Sequence, residues 1–179
     1  MKTASKLASI FVATLASLSA GHAFGAERIT ATFGPIMRSI DVQELRVLAN
    51  TNRATGMTAS ILKIAKISPE KAGTALRSPF ALDGIFIGDI LYTPLGEKIL
   101  SQLGQIIHPL RSGTKTAIPA LRSAVMLSVL DDNSLSPIEL ISNYPVQLTI
   151  NLEALLALSK KAKNLDDLAR ILHDMPGDI

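Results

Sequence analysis

Three helix starts of the same kind divide this chain into short segments. A serine or threonine is followed directly by proline at Ser68, Thr93 and Ser136. The side-chain hydroxyl can accept a hydrogen bond from a free N–H of the first helical turn, where proline has no N–H to leave unsatisfied. Each pair therefore predicts the beginning of a helix, and the chain is expected to fold as many short helices.

The composition fits one compact domain. Of the 179 residues, 47% are hydrophobic and 18% are charged, which supplies enough apolar side chain for a sizeable core and disfavours disorder. The chain contains no cysteine. Disulfides, cysteine-containing metal sites and cysteine nucleophiles are therefore excluded.

Alternating apolar and polar residues predict strands near both ends of the domain. Residues 28–33 and 36–40 predict a hairpin, and residues 146–152 predict a late strand that can pair with it. Asp41 predicts the start of a helix, with Glu44 completing a capping box. The residues expected to be buried on this helix are Val42, Leu45, Leu48 and Ala49.

The middle of the chain predicts three further helices. Residues 80–92 are apolar on nearly every side, which predicts a buried helix. An amphipathic helix is predicted to begin at Thr93 and to end near His108, and residues 116–130 predict a central helix surrounded by others. The expected apolar stripe of the amphipathic helix is Leu95, Ile99, Leu103, Ile106 and Ile107.

These elements predict a mainly α fold. It is a compact multi-helix domain with a small β component, formed by the N-terminal hairpin and the late strand, after a signal peptide. The predicted divisions are a signal peptide at residues 1–25, a helical domain at residues 26–152 and a C-terminal helical extension at residues 153–179.

The first residues have the pattern of a secretory signal. Lys2 and Lys6 flank an apolar run at residues 7–18, which is followed by small residues including Gly21 and Ala23. The run is shorter than a membrane span, so export with cleavage is expected, to the periplasm or the extracellular space. Cleavage removes two of the 18 basic residues and leaves 16 against 15 acidic. This near-neutral balance disfavours a nucleic-acid partner.

The sequence lacks the common catalytic motifs. It contains no G-x-S-x-G elbow, no phosphate-binding G-x-x-x-x-G-K-[ST], no G-x-G-x-x-G and no H-E-x-x-H. Loss of the signal peptide would leave His108 and His173, which have no metal-ligand spacing. No catalytic, cofactor-binding or metal-binding residue is therefore expected, and a non-enzymatic role is favoured.

Several polar residues have a structural explanation. His108 is expected to satisfy carbonyls at a helix end, and His173 is expected to be exposed. Asp83 and Asp89 lie six residues apart, on different sides of a helix, and are interpreted as solvated capping carboxylates. The remaining candidate is a basic cluster of Lys160, Lys161 and Lys163, read as a solvated face that can also contact anionic lipid or an acidic partner.

Six short segments resemble a known family. They are Glu27-Arg28-Ile29, Phe33-Gly34-Pro35, Ser39-Ile40, Leu91-Tyr92-Thr93-Pro94-Leu95-Gly96-Glu97, Tyr144-Pro145 and the strand at residues 146–152. The chain from Glu27 to Leu152 resembles a cyanobacterial domain family of unknown function, DUF1400, in which the domain follows a signal peptide and precedes a predicted α/β-hydrolase. Residues 153–179 are too few for that hydrolase, so the resemblance transfers no catalytic residue. It implies export and a role beside a hydrolase as a lid, a docking surface or a regulator.

Three functional hypotheses follow. The first is an exported, non-catalytic accessory domain that binds a partner protein, such as an envelope hydrolase, or an apolar ligand in a groove between helices. The second is part of a split α/β-hydrolase, or a small hydrolase that uses a serine with His108. The third is a module that contacts membrane surfaces or lipid through Lys160, Lys161 and Lys163.

Overall fold

The computed structural model describes residues 25–111, 114–130 and 132–161. These residues confirm the predicted mainly α fold with a small β component. In chain order the elements are β1 (Arg28–Phe33), β2 (Ile36–Asp41), α1 (Val42–Thr51), α2 (Gly56–Ala65), α3 (Pro69–Arg77), β3 (Phe80–Ala81), α4 (Gly84–Leu91), α5 (Pro94–Ile106), β4 (Ile107–Pro109), α6 (Thr114–Val129), β5 (Ser134–Leu135), α7 (Pro137–Ser142), β6 (Leu148–Asn151) and α8 (Leu152–Lys161). Among the described residues, no helix combines the length and apolar character needed to cross a bilayer.

The main sheet joins the two ends of the domain. Its strand order is β2-β1-β6-β4, with β1 antiparallel to β2 and parallel to β6. The predicted hairpin is confirmed, and so is its pairing with the late strand, although that strand is confined to Leu148–Asn151. Val146 is exposed, and the backbone ladder to β1 begins at Leu148.

Strand β4 corrects the predicted end of helix α5. The helix stops at Ile106, and Ile107–Pro109 pairs antiparallel with β6 instead of continuing the helix. The helical spacing of the isoleucines did not reveal this change. It depends on pairing with Leu148–Ile150, some forty residues further along the chain.

The predicted helix starts are confirmed by their hydrogen bonds. Ser68, Thr93 and Ser136 accept backbone N–H groups from Lys71, Gly96 and Glu139, and Ser136 forms a complete capping box. Asp41 caps α1 by accepting the N–H of Gln43 at 2.7 Å. Glu44 does not complete the second capping box, because its Oε2 accepts the N–H of Thr58 at 2.9 Å and so joins α1 to α2.

Helix α6 lies at the centre of the core. Ala117, Leu121 and Ala124 are fully buried, as expected for a helix that packs against α4, α5, α7 and β4. The four residues predicted to be buried on α1 are the four that the structure buries there. The core continues into the sheet through Ile29, Ala31 and Leu148.

The buried face of α5 differs from the predicted stripe. Leu100 and Ile106 are buried as core residues, Ile99 and Leu103 are half-buried, and Leu95 is exposed. Gly96 explains the rotation, since a Cβ there would collide with the carbonyl oxygen of Ile90 at the end of α4. The close approach of α4 turns Gly96 inward and Leu95 outward.

The prediction of a buried helix at residues 80–92 is wrong. Helix α4 forms at Gly84–Leu91, but only Leu91 is buried. Ile85 is 81% exposed and Phe86 is 62% exposed. The short strand β3 precedes this helix and pairs with β5, a contact that the sequence pattern did not predict.

Candidate functional site

His108 lies in the main sheet and contacts a backbone carbonyl. It lies half-buried in β4, and its Nδ1 is 3.1 Å from the carbonyl oxygen of Pro109. Thr149 lies directly opposite on β6, yet its buried Oγ1 has no hydrogen-bond partner among the described residues. His108 and Thr149 therefore do not form the hydrogen-bonded base and nucleophile pair that covalent catalysis uses.

Asp83 and Asp89 occupy different positions relative to α4. Asp83 is the N-cap and accepts the N–H of Phe86 at 2.8 Å, as predicted. Asp89 lies inside the helix, so the prediction that it is also a cap is wrong; it is exposed, as expected of a solvated carboxylate. The described part of the chain contains no group of three or more histidine and acidic side chains that could hold a metal ion.

The basic cluster lies at the limit of the described residues. Lys160 and Lys161 are the last two residues of α8. Lys163 and His173 lie outside the described residues.

An apolar surface on α4 is the most distinctive feature of the described residues. Gly84 and Gly88 lie one turn apart and face α6: a Cβ on Gly84 would contact Val129, and a Cβ on Gly88 would contact Met126. These two glycines lie on the side of α4 that packs against α6. The bulky residues of the helix, including Ile85 and Phe86, are then left to face solvent.

Helices α4 and α6 run antiparallel. Gly84 lies beside Val129, Gly88 beside Met126, and the carbonyl oxygen of Leu91 accepts the Nε of Arg122 at 3.0 Å. In a helix, the next residue is turned by about 100° around the axis. When two antiparallel helices are in contact, the residue after each contact position therefore points to the same side of the helix pair on both helices.

The residues that follow these contact positions therefore share one surface. They are Ile85, Asp89 and Tyr92 from the α4 side and Ser123, Leu127 and Leu130 from the α6 side. All six are exposed, and four are large and hydrophobic. We call this surface the α4–α6 face.

Arg122 fixes one end of the α4–α6 face. Its guanidinium lies 4.4 Å from the centre of the Tyr92 ring, a cation–π distance. The same side chain donates to the Leu91 carbonyl and lies 3.5 Å from the Oε1 of Glu97. Tyr92 is thus held in place while 70% of it stays exposed.

A shallow groove lies on α3. This open groove, of about 400 Å³, is lined by Glu70, Lys71, Thr74, Ala75 and Ser78. Its lining comes from one helix and its cap, so it is not the groove between helices predicted for an apolar ligand.

The α4–α6 face was not predicted from the sequence, although one local signal indicates it. Gly84 and Gly88 are four residues apart in a helix whose other residues, except Asp89, are apolar. Small residues at that spacing indicate the side on which a helix packs. The large residues between them then belong to the other sides of the helix.

Comparison with known proteins identifies a family for most of the chain. Residues 25–151 match the sequence profile of a family described as alpha/beta hydrolase of unknown function, DUF1400. No curated protein and no solved structure matches the chain.

Proposed function

Because this chain belongs to DUF1400, a family described as alpha/beta hydrolase of unknown function, we propose that it is a non-catalytic accessory domain that docks onto an α/β-hydrolase. The family description names α/β-hydrolases, and this motivates the choice of that class of partner. The α4–α6 face supplies the docking surface, and it is the observation that carries the proposal.

The sequence supports a non-catalytic role. An α/β-hydrolase presents its serine on a strained turn between a strand and a helix, within a G-x-S-x-G motif. That motif is absent from the chain. His108, the histidine available to a small hydrolase in the described residues, contacts a backbone carbonyl of its own strand.

Exposure of the α4–α6 face supports a docking role. Ile85, Tyr92 and Leu130 are each at least 65% exposed, and they lie in or directly after two helices that contact each other. Contiguous apolar surface of this kind on a soluble domain marks sites of interaction. The hydrogen bond from Arg122 to the Leu91 carbonyl joins α6 to the end of α4, so a partner would meet a preformed surface and little ordering entropy would be lost.

Export belongs to the same proposal. In this proposal, residues 1–25 act as a signal that exports the chain from the cytoplasm. Outside the cytoplasm the chain would meet an envelope hydrolase. Mass spectrometry of the mature chain tests this step. We expect an N-terminus close to residue 25, whereas a chain that still begins at Met1 contradicts export with cleavage.

The docking proposal is tested by purifying the intact chain from the cells that produce it and identifying associated proteins. We expect an α/β-hydrolase to co-purify and to react with a serine-directed fluorophosphonate, while the chain itself is not labelled. Ile85→Lys should abolish the association because it places a charge in the contact. Ile64→Lys is the matched control, since Ile64 on α2 is 82% exposed, against 81% for Ile85.

Two outcomes contradict the docking proposal. Labelling of the chain itself that disappears in His108→Ala would identify a small hydrolase instead. Equal loss of the partner in Ile85→Lys and Ile64→Lys would place the contact elsewhere than the α4–α6 face.

A further inference from the structure

Asp89 gives the α4–α6 face a chemical preference. It follows Gly88, and on α4 it lies between Ile85 and Tyr92, at the spacing of one helical surface. Leu127 and Leu130 border the same surface from α6. Asp89 is exposed and has no hydrogen bond or ion pair within the described ranges. A lone carboxylate therefore stands among large apolar side chains.

Arg122, the cation beside the α4–α6 face, is already engaged. Arg122 donates to the Leu91 carbonyl, stacks on Tyr92 and pairs with Glu97, and its side chain is only 16% exposed. A partner that covers the face would remove water from Asp89. Burial of an unpaired carboxylate is costly, whereas a charge-assisted hydrogen bond to a cation offsets that cost.

We propose that the α4–α6 face binds a protein segment in which an arginine or lysine projects from among apolar side chains, and that Asp89 receives this cation. The inference rests on the proposed docking function and specifies the chemistry of the partner surface. Apolar contacts with Ile85, Tyr92 and Leu130 supply affinity, and the charge pair selects which segments bind.

Two other occupants fit the face less well. A second copy related by a two-fold axis would bring Asp89 towards the Asp89 of its partner, and like charges oppose each other in a desolvated contact. An anionic lipid surface would meet the carboxylates of Asp89 and Glu97, the latter 60% exposed. These carboxylates would repel such a surface.

Synthetic peptides test the preference directly. The probe is a 16-residue helical peptide with leucines along one side and a single arginine among them; its control carries glutamine in place of arginine. Binding to the intact chain is measured by fluorescence anisotropy. We expect the arginine peptide to bind about tenfold or more tightly than the glutamine peptide, as a charge-assisted hydrogen bond of at least about 1.5 kcal/mol implies.

Variants of the chain locate the effect. Asp89→Asn should remove the difference in affinity between the two peptides. Asp89→Lys should reverse the preference, so that a third peptide with glutamate in place of arginine binds more tightly than the arginine peptide. Asp83→Asn is the matched control: it removes the same charge from the same helix, and asparagine retains the capping ability. It should leave the preference unchanged. Circular dichroism confirms that each variant is folded.

The inference is overturned if neither peptide binds, if both bind equally to the wild-type chain, or if Asp83→Asn and Asp89→Asn have the same effect. Sedimentation showing a dimer disrupted by Ile85→Lys would assign the face to a second copy. Ile85-dependent binding to vesicles of phosphatidylglycerol would assign it to lipid. Co-purification of a hydrolase without a peptide preference overturns this inference alone, and a peptide preference without a hydrolase overturns only the choice of hydrolase as partner.

Discussion

Helices α1 and α4 begin alike and end in different environments. Each follows an aspartate whose side chain accepts a backbone N–H of the first turn, Asp41 for α1 and Asp83 for α4. Helix α1 mixes polar and apolar residues, and Val42, Leu45, Leu48 and Ala49 are buried. Helix α4 has the more apolar sequence, yet only Leu91 is buried.

The difference shows that apolar content alone does not determine burial. The apolar residues of α1 recur along one side of the helix, and only that side can face the core. The sequence of α1 therefore determines the orientation of the helix. Helix α4 has apolar residues on several sides, and its two glycines select the side that packs. The remaining apolar residues, Ile85 and Phe86 among them, are left exposed at the surface.

The largest expected effect is a difference in the stability lost when a side chain is shortened in α1 and in α4. Leu48→Ala in α1 removes a side chain that is almost fully buried, and the cavity should lower the free energy of unfolding by about 2–5 kcal/mol. Ile85→Ala in α4 should change it by less than about 0.5 kcal/mol, because the side chain is exposed. Urea denaturation followed by circular dichroism measures both. Comparable losses would show that α4 is buried in solution.

A pH dependence is expected from Tyr144, the buried tyrosine that follows α7. Tyr144 is buried, its hydroxyl has no hydrogen-bond partner among the described residues, and desolvation raises its pKa to about 12. In the unfolded chain its pKa is about 10. Between these values the unfolded state loses the Tyr144 proton first, so the free energy of unfolding is unaffected below about pH 10 and falls by about 3 kcal/mol towards pH 12.

Tyr144→Phe isolates this effect. The variant should lose the alkaline destabilisation caused by Tyr144 and keep the destabilisation caused by other groups. Difference titration of the tyrosinate absorbance should show one tyrosine fewer in the variant. Identical alkaline unfolding of wild type and variant would contradict a raised pKa for Tyr144.

The smallest expected effect concerns the attachment of α4. Gly96→Ala places a Cβ against the carbonyl oxygen of Ile90, and this overpacking should lower the free energy of unfolding by about 1–3 kcal/mol. Gly88→Ala is the control, because its Cβ would lie 3.4 Å from the flexible end of Met126. We expect little loss or a small gain there, since alanine favours a helix interior. Equal losses in thermal unfolding would mean that both helix contacts are equally tight.

Local signals account for the successful predictions. Capping side chains and prolines act within one turn, so Ser68, Thr93 and Ser136 mark helix starts without reference to the rest of the fold. The alternation in β1 and the stripe of α1 likewise follow from residues close in sequence. For the candidate site, the Gly84–Gly88 spacing is a local signal on α4 alone. The site also takes residues from α6, some forty residues further along the chain, and no local pattern joins the two helices.

The sequence by itself determined where the main helices begin, that the fold is mainly α, and that the common catalytic motifs are absent. Only the tertiary structure decided that Ile107–Pro109 is a strand, that Gly96 faces inward and that α4 is exposed. The physical reason is the range of the forces involved. A cap or a hydrophobic period operates within a few residues, whereas strand pairing and helix packing depend on what distant parts of the chain bring into contact.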